Sequence, residues 1–141
     1  MPPKETIEKN INDACVELYA QQKDLIDERA NELNIVGHLA PRLRLKFPEW
    51  DIDTDYNREG PLGNRITKTD VEGSALKPDI IFHQRGEDGV NLVAIQVKGY
   101  WNKDSREKDE DSLRRLREKH EYVFLYRLEL GRDGHQLIGV V

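Results

Sequence analysis

The sequence predicts an α/β fold, a mixed sheet flanked by helices. Three observations carry this reading. Apolar residues recur at helical spacing through the first 47 positions. Short alternating or continuous apolar runs, separated by glycine turns, fill most of the remainder. One polar helical stretch interrupts those runs before the last two. The predicted order is α, α, β, β, β, α, β, β. A chain of 141 residues is the size of one ordinary domain, with a helical segment over 5–47 and a sheet-and-helix core over 50–141.

Residues 5–20 predict an amphipathic helix carrying Ile7, Ile11, Ala14 and Leu18. A second helix follows, with Ile26, Ala30, Leu33, Gly37 and Ala40 on one stripe, ended or kinked at Pro41. Residues 42–47 fit helix through Leu39, Leu43 and Phe47 and strand through Leu43, Leu45 and Phe47; a kinked helix closed by Pro48 is the preferred reading. Trp50 to Asn57 predicts a strand in which Ile52, Thr54 and Tyr56 alternate with aspartates. Residues 59–76 hold three glycines without a period and predict a long loop. Strands are predicted at 78–83 and 90–98 about the turn Gly86-Glu87-Asp88-Gly89, then a polar helix at 104–119. Strands at 122–130 and 136–141 flank the turn 131–134.

Charge argues against a generally basic nucleic-acid binder. The 22 Lys and Arg are outnumbered by 27 Asp and Glu, for a net −5, so any phosphate-binding surface has to be local. The single cysteine, Cys15, excludes an internal disulfide and a multi-thiolate zinc site, and its apolar neighbours predict core packing. The start of the chain has no apolar signal region and no stretch approaches a membrane span, so a soluble, cytoplasmic protein without a membrane partner is expected.

The chemistry-bearing constellation comes from the hairpin register. Centring the turn between Glu87 and Asp88 sets Ile81 opposite Ala94 and Asp79 opposite Gln96. Opposed residues project from one side of the sheet, and Lys98 lies two residues beyond Gln96 on that side. Three polar groups thus meet at one end of a hairpin otherwise apolar on both faces, with Ile80, Phe82, Val93, Ile95 and Val97 on one and Ile81, Leu92 and Ala94 on the other. Asp79 offers an anionic oxygen and Gln96 a neutral one, a donor set suited to Mg²⁺. Lys98 can position or deprotonate a water, or offset charge on a phosphate in transfer. The competing reading is a buried Asp79–Lys98 ion pair with Gln96 as hydrogen-bond partner.

Pro78-Asp79, a gap, then Gln96-Val97-Lys98 resembles the signature of the PD-(D/E)xK nuclease superfamily, which includes restriction enzymes and archaeal Holliday-junction resolvases. The likeness spans roughly residues 25–131. It implies a restriction-endonuclease-like mixed sheet, with an antiparallel β-meander, N-terminal helices and a helix after the meander. It implies a Mg²⁺-dependent DNA endonuclease, with Mn²⁺ able to substitute, in which Asp79, Gln96 and a helix glutamate hold metal and Lys98 assists the water. Glu32 is the candidate for that glutamate and Glu28 its substitute. Gln96 departs from the usual glutamate, although Mrr-type restriction enzymes also carry Gln there. The alternative is an inactive module of the same fold for nucleic-acid binding or assembly. Cutting two strands needs two sites, so a homodimer is a further expectation.

Arg58, Arg114, Arg115, Arg117 and Lys119 are the candidate nucleic-acid contacts, with Arg42, Arg44 and Lys46 as a second basic group. The acidic residues sharing the later helix also fit a salt-bridged solvent face. Tyr100-Trp101 offers either a stacking surface or packing at a sheet end. His83 reads as a core-edge histidine.

Overall fold

The computed structural model describes residues 1–54, 78–86 and 89–141, together with the backbone of 58–59 and 66–67. Helix α1 spans Lys4–Gln21 and buries Ile7, Ile11, Ala14, Cys15 and Leu18, the stripe its spacing predicts. Burial pushes the Cys15 thiol up to about 12, as expected of a packing cysteine.

The second helical stretch is broken, contrary to the sequence expectation. Helix α2 is only Lys23–Asp27. Arg29 then takes a left-handed backbone with φ 54°, and Asn31 caps a new helix, α3, Glu32–Lys46, by accepting from Leu33 N at 2.8 Å. The break resets the helical phase. Ile35, Val36, Leu39, Ala40 and Leu43 become the buried stripe, whereas Gly37 is exposed and Leu33 is 56% exposed. Pro41 lies inside α3 and does not end it. Leu39, Ala40 and Leu43 are buried on either side of it, and Arg42 donates to His38 O at 2.6 Å. Packing there outweighs the one helical hydrogen bond that proline removes.

The strands are β1 (Asp51–Thr54), β2 (Arg58–Glu59), β3 (Ile66–Thr67), β4 (Ile80–His83), β5 (Asn91–Gly99), β6 (Phe124–Leu130) and β7 (His135–Val140), with helix α4 (Arg106–His120) between β5 and β6. Strands β2 and β3 form a separate two-stranded ladder. The rest of the loop predicted at 59–76, and strand positions 55–57, lie outside the described residues. The main sheet has the order β1-β4-β5-β6-β7. Strands β1, β4 and β5 form an antiparallel meander, β6 lies parallel to β5, and β7 returns antiparallel. Helix α4 supplies the crossover that a parallel pair requires.

The hairpin register is the predicted one. Ile80 pairs with Ile95, Ile81 with Ala94 and Phe82 with Val93. Beyond Phe82 the register shifts, and His83 pairs with Asn91. The extra residue, Leu92, sits in the bulge and joins Val93 in the core on the α1/α3 side, not beside Ala94 as the alternation predicts.

The sheet separates two apolar layers. Ile80, Phe82, Val93, Ile95, Val97 and Leu128 pack with α1 and α3, where Phe47 and Phe82 meet at 4.7 Å between ring centroids. Ile81, Ala94 and Leu125 pack with Leu113 and Leu116 of α4. No helix among the described residues is long and apolar enough to cross a membrane.

Candidate functional site

On the α4 face the sheet changes character toward the C-terminal ends of β5 and β6. Ala94 and Leu125 are followed by the pair Gln96 and Arg127, then by Lys98 and Glu129. Helix α4 changes in step. Its apolar Leu113 and Leu116 give way, toward the helix start, to Glu110, Asp109 and Arg106. The polar groups meet: Arg127 bonds Glu110 at 2.7 Å and Glu129 at 2.6 Å, and Arg106 bonds Glu129 at 3.0 Å.

Asp79 lies immediately before β4, at the position the register sets opposite Gln96. Its Oδ2 accepts from Val97 N at 2.7 Å, tying it to the neighbouring strand. Burial is the main influence on its carboxyl and pushes it up to about 6. Glu32 and Asp109 act in the same direction, while the Val97 N–H and Lys98 oppose it. Asp79, Glu32, Lys98 and Asp109 therefore stand in one another's electrostatic field.

Lys98 does not pair with Asp79. Its Nζ lies 3.1 Å from Asp109 Oδ2, and the two side chains are only 12% and 15% exposed. This corrects the competing reading of a buried Asp79–Lys98 pair. Asp109 is the residue the sequence reading leaves among solvated helix charges. The signal was present, since Asp109 precedes the buried Leu113 by one helical turn and so shares its inward face.

Glu32 reaches the same strand end from the opposite side of the sheet. Its Oε2 accepts from Gly99 N at 2.6 Å and its Oε1 from Asn102 Nδ2 at 2.9 Å. It occupies the first turn of α3, and the break at Arg29–Asn31 directs it there. Glu28, the substitute, is exposed at the end of α2. Gln96 is half-buried and makes no hydrogen bond with its carboxamide among the described residues. Oxygens of Asp79 and Gln96 remain as donors for a hard cation. Even so, no group of three His, Cys, Asp or Glu side chains among the described residues is arranged to hold a metal ion.

The basic candidates are largely engaged in holding the fold. Arg114 pairs with Asp111 at 3.2 Å and Glu110 at 3.4 Å. Arg117 donates to Val123 O at 3.3 Å, Arg115 is half-buried on α4, and Lys119 is exposed there. Arg44 donates twice to Ile52 O, at 2.9 and 3.1 Å, and Lys46 pairs with Glu17 at 2.6 Å. The side chain of Arg58 lies outside the described residues. His83 is buried and bonds Asp53 at 2.6 Å.

Comparison with protein-family models, with curated proteins and with solved structures finds no match.

Proposed function

We propose that the protein is a metal-dependent DNA endonuclease with a restriction-endonuclease-like core. The observation that carries the reading is the register of β4 and β5, which makes Asp79 a neighbour of Gln96 with Lys98 two residues further along the same face. The surrounding order supports it: an antiparallel meander, a crossover helix and a strand parallel to the third. The site falls at the carboxyl ends of that parallel pair, where open α/β sheets bind their ligands.

In this reading Asp79 and Gln96 would hold Mg²⁺, or Mn²⁺, with Glu32, at the same strand end, as the candidate third oxygen donor. The ion would supply Lewis acidity toward a phosphate oxygen and activate a bound water. Asp79, anchored on Val97 N, would present its carboxylate to the ion from a fixed position. Lys98, positioned by its ion pair with Asp109, offsets negative charge that grows on the phosphorus oxygens. Glu32 braces Gly99 and so keeps Lys98 aimed across the face. Cutting both strands of a duplex would take a second copy, hence a homodimer on DNA.

A second reading is favoured by two features. The close Lys98–Asp109 pair and the neutral Gln96 also suit an inactive nuclease-fold module for nucleic-acid binding or assembly. Incubation with a panel of labelled duplex, branched and single-stranded DNA in Mn²⁺ separates the two. An endonuclease cuts at least one substrate and Lys98→Ala does not, while the variant keeps the metal-induced rise in melting temperature. Full cleavage by Lys98→Ala removes Lys98 from the mechanism; no cleavage and no metal stabilisation of the wild type leaves the binding module.

A further inference from the structure

Most of the described arginines are committed to carboxylates or backbone carbonyls. Arg29 and Arg132 are different. Neither has a carboxylate partner among the described residues, and both stand over one aromatic ring. Each guanidinium carbon lies 5.6 Å from the centroid of Tyr100. Two like charges thus share one ring, with no carboxylate paired to either among the described residues. The pair also holds the Tyr100 phenol below its ordinary range, hydrogen bonding from Arg29 first.

The arrangement is built, not incidental. Arg29 is one of two non-glycine residues with positive φ among those described. Such a conformation costs about 1–2 kcal/mol in an ordinary L-residue. Arg132 sits in the turn closed by Gly131 N donating to Gly134 O at 2.9 Å. That turn is pinned by Tyr19, whose hydroxyl donates to Gly131 O at 2.7 Å. Tyr100 N donates to Leu130 O at 2.8 Å, and Trp101 packs edge-on against the Tyr100 ring at 5.1 Å. The backbone that carries the three side chains is therefore set before a ligand is gripped.

We propose that Arg29, Tyr100 and Arg132 form a clamp for the phosphodiester backbone of a nucleic-acid strand, leading it to Lys98. The proposal rests on the reading of the neighbouring site as one that acts on nucleic acid. Beyond the N–H that each spends on the Tyr100 phenol, the guanidiniums keep donors in the fork that matches phosphate oxygens. The ring edge and Trp101 offer a surface on which a base can stack. Tyr100 follows Lys98 by two residues, at most about 7.6 Å along the backbone. The clamp therefore adjoins the end of β5 that carries Lys98.

The test is fluorescence anisotropy of a short labelled DNA duplex and a short labelled RNA strand, in chelator, over a salt series. Wild type is compared with Arg29→Gln, Arg132→Gln, the double variant, and the charge-keeping Arg29→Lys/Arg132→Lys. Lys9→Gln, at the ion pair with Asp13 on α1, is the control. The double glutamine variant should bind about tenfold or more weakly, with a salt slope lower by about two. The double lysine variant should keep the slope, and the control should match wild type. Arginine-dependent binding of either probe supports the clamp, and the tighter probe names the strand. Wild-type binding by the double glutamine variant overturns it, as does an equal loss in the control or no binding by wild type. Cleavage in Mn²⁺ is scored separately. Arginine-dependent binding without cleavage keeps the clamp and discards the nuclease; cleavage and binding indifferent to both arginines do the reverse.

Discussion

Lys98 on β5 and Asp109 on α4 form an ion pair of 3.1 Å, with both side chains largely withdrawn from water. The pair ties the crossover helix to the strand that carries the candidate site. It also answers how a lysine can sit on a half-buried sheet face, since a buried charge is tolerable only when partnered.

Removing one partner should therefore cost more than removing both. Asp109→Asn leaves the ammonium of Lys98 without its carboxylate and should destabilise by about 3 kcal/mol. Lys98→Met combined with Asp109→Leu should recover most of that loss, because neither charge then needs solvating. Urea unfolding of the wild type and the two variants measures it. A double variant as unstable as Asp109→Asn would mean that the helix–sheet packing, and not the charge pairing, is at stake.

Asp79 should make stability fall with pH. Its folded carboxyl is raised from the ordinary value of 3.8 to about 6, so the folded state holds the proton more tightly than the unfolded chain. The stabilisation due to the protonated form is fully present below about 3.8 and is lost as pH rises through about 6. Asp79→Asn keeps an acceptor for Val97 N without the charge. In chelator it should be more stable than wild type at pH 7, by up to about 3 kcal/mol, and the gap should close toward pH 4. Parallel pH profiles for the two proteins would show that Asp79 is not the buried acid described above.

Gln96→Glu should have effects of opposite sign with and without metal. The new carboxylate stands beside Asp79, so the two repel and the melting temperature in chelator should drop by a few degrees. With Mg²⁺ the added charge strengthens a hard-cation site, and the upward shift should exceed that of wild type. Thermal melts across a Mg²⁺ series test both. Identical responses would count heavily against Gln96 as a ligand.

Glu32 has a structural duty that is separable from any metal duty. Glu32→Ala leaves Gly99 N–H without its acceptor and should cost about 1–3 kcal/mol. Glu32→Gln retains one acceptor oxygen, so its loss should be about half as large in chelator, yet any Mg²⁺-induced stabilisation should weaken sharply. If glutamine retains the full Mg²⁺ response, Glu32 braces the strand end and does nothing more.

Several features were legible in the sequence because they are local. The apolar spacing of α1, the core role of Cys15 and the pairing of β4 with β5 each depend on a few neighbouring residues and a known turn. The register followed from the Gly86–Gly89 turn and the pleat, and with it the association of Asp79, Gln96 and Lys98. The break between α2 and α3 was less visible. Helical spacing continues across it, while Asn31 offers a cap that competes with that spacing, and the sum of their energies depends on what each face packs against.

The sequence by itself determined which residues share a strand face, because alternation along an extended chain is fixed by covalent geometry and requires nothing from distant elements. Only the tertiary structure decided who meets whom across elements. The crossover docks α4 so that Asp109, not Asp79, takes Lys98. The re-phased α3 chooses Glu32 over Glu28 for Gly99. The turns of Arg29 and Arg132, far apart in the chain, close on Tyr100. Those meetings depend on helix rotation and loop path, which are set by how whole apolar faces pack, a quantity that no short stretch of sequence contains.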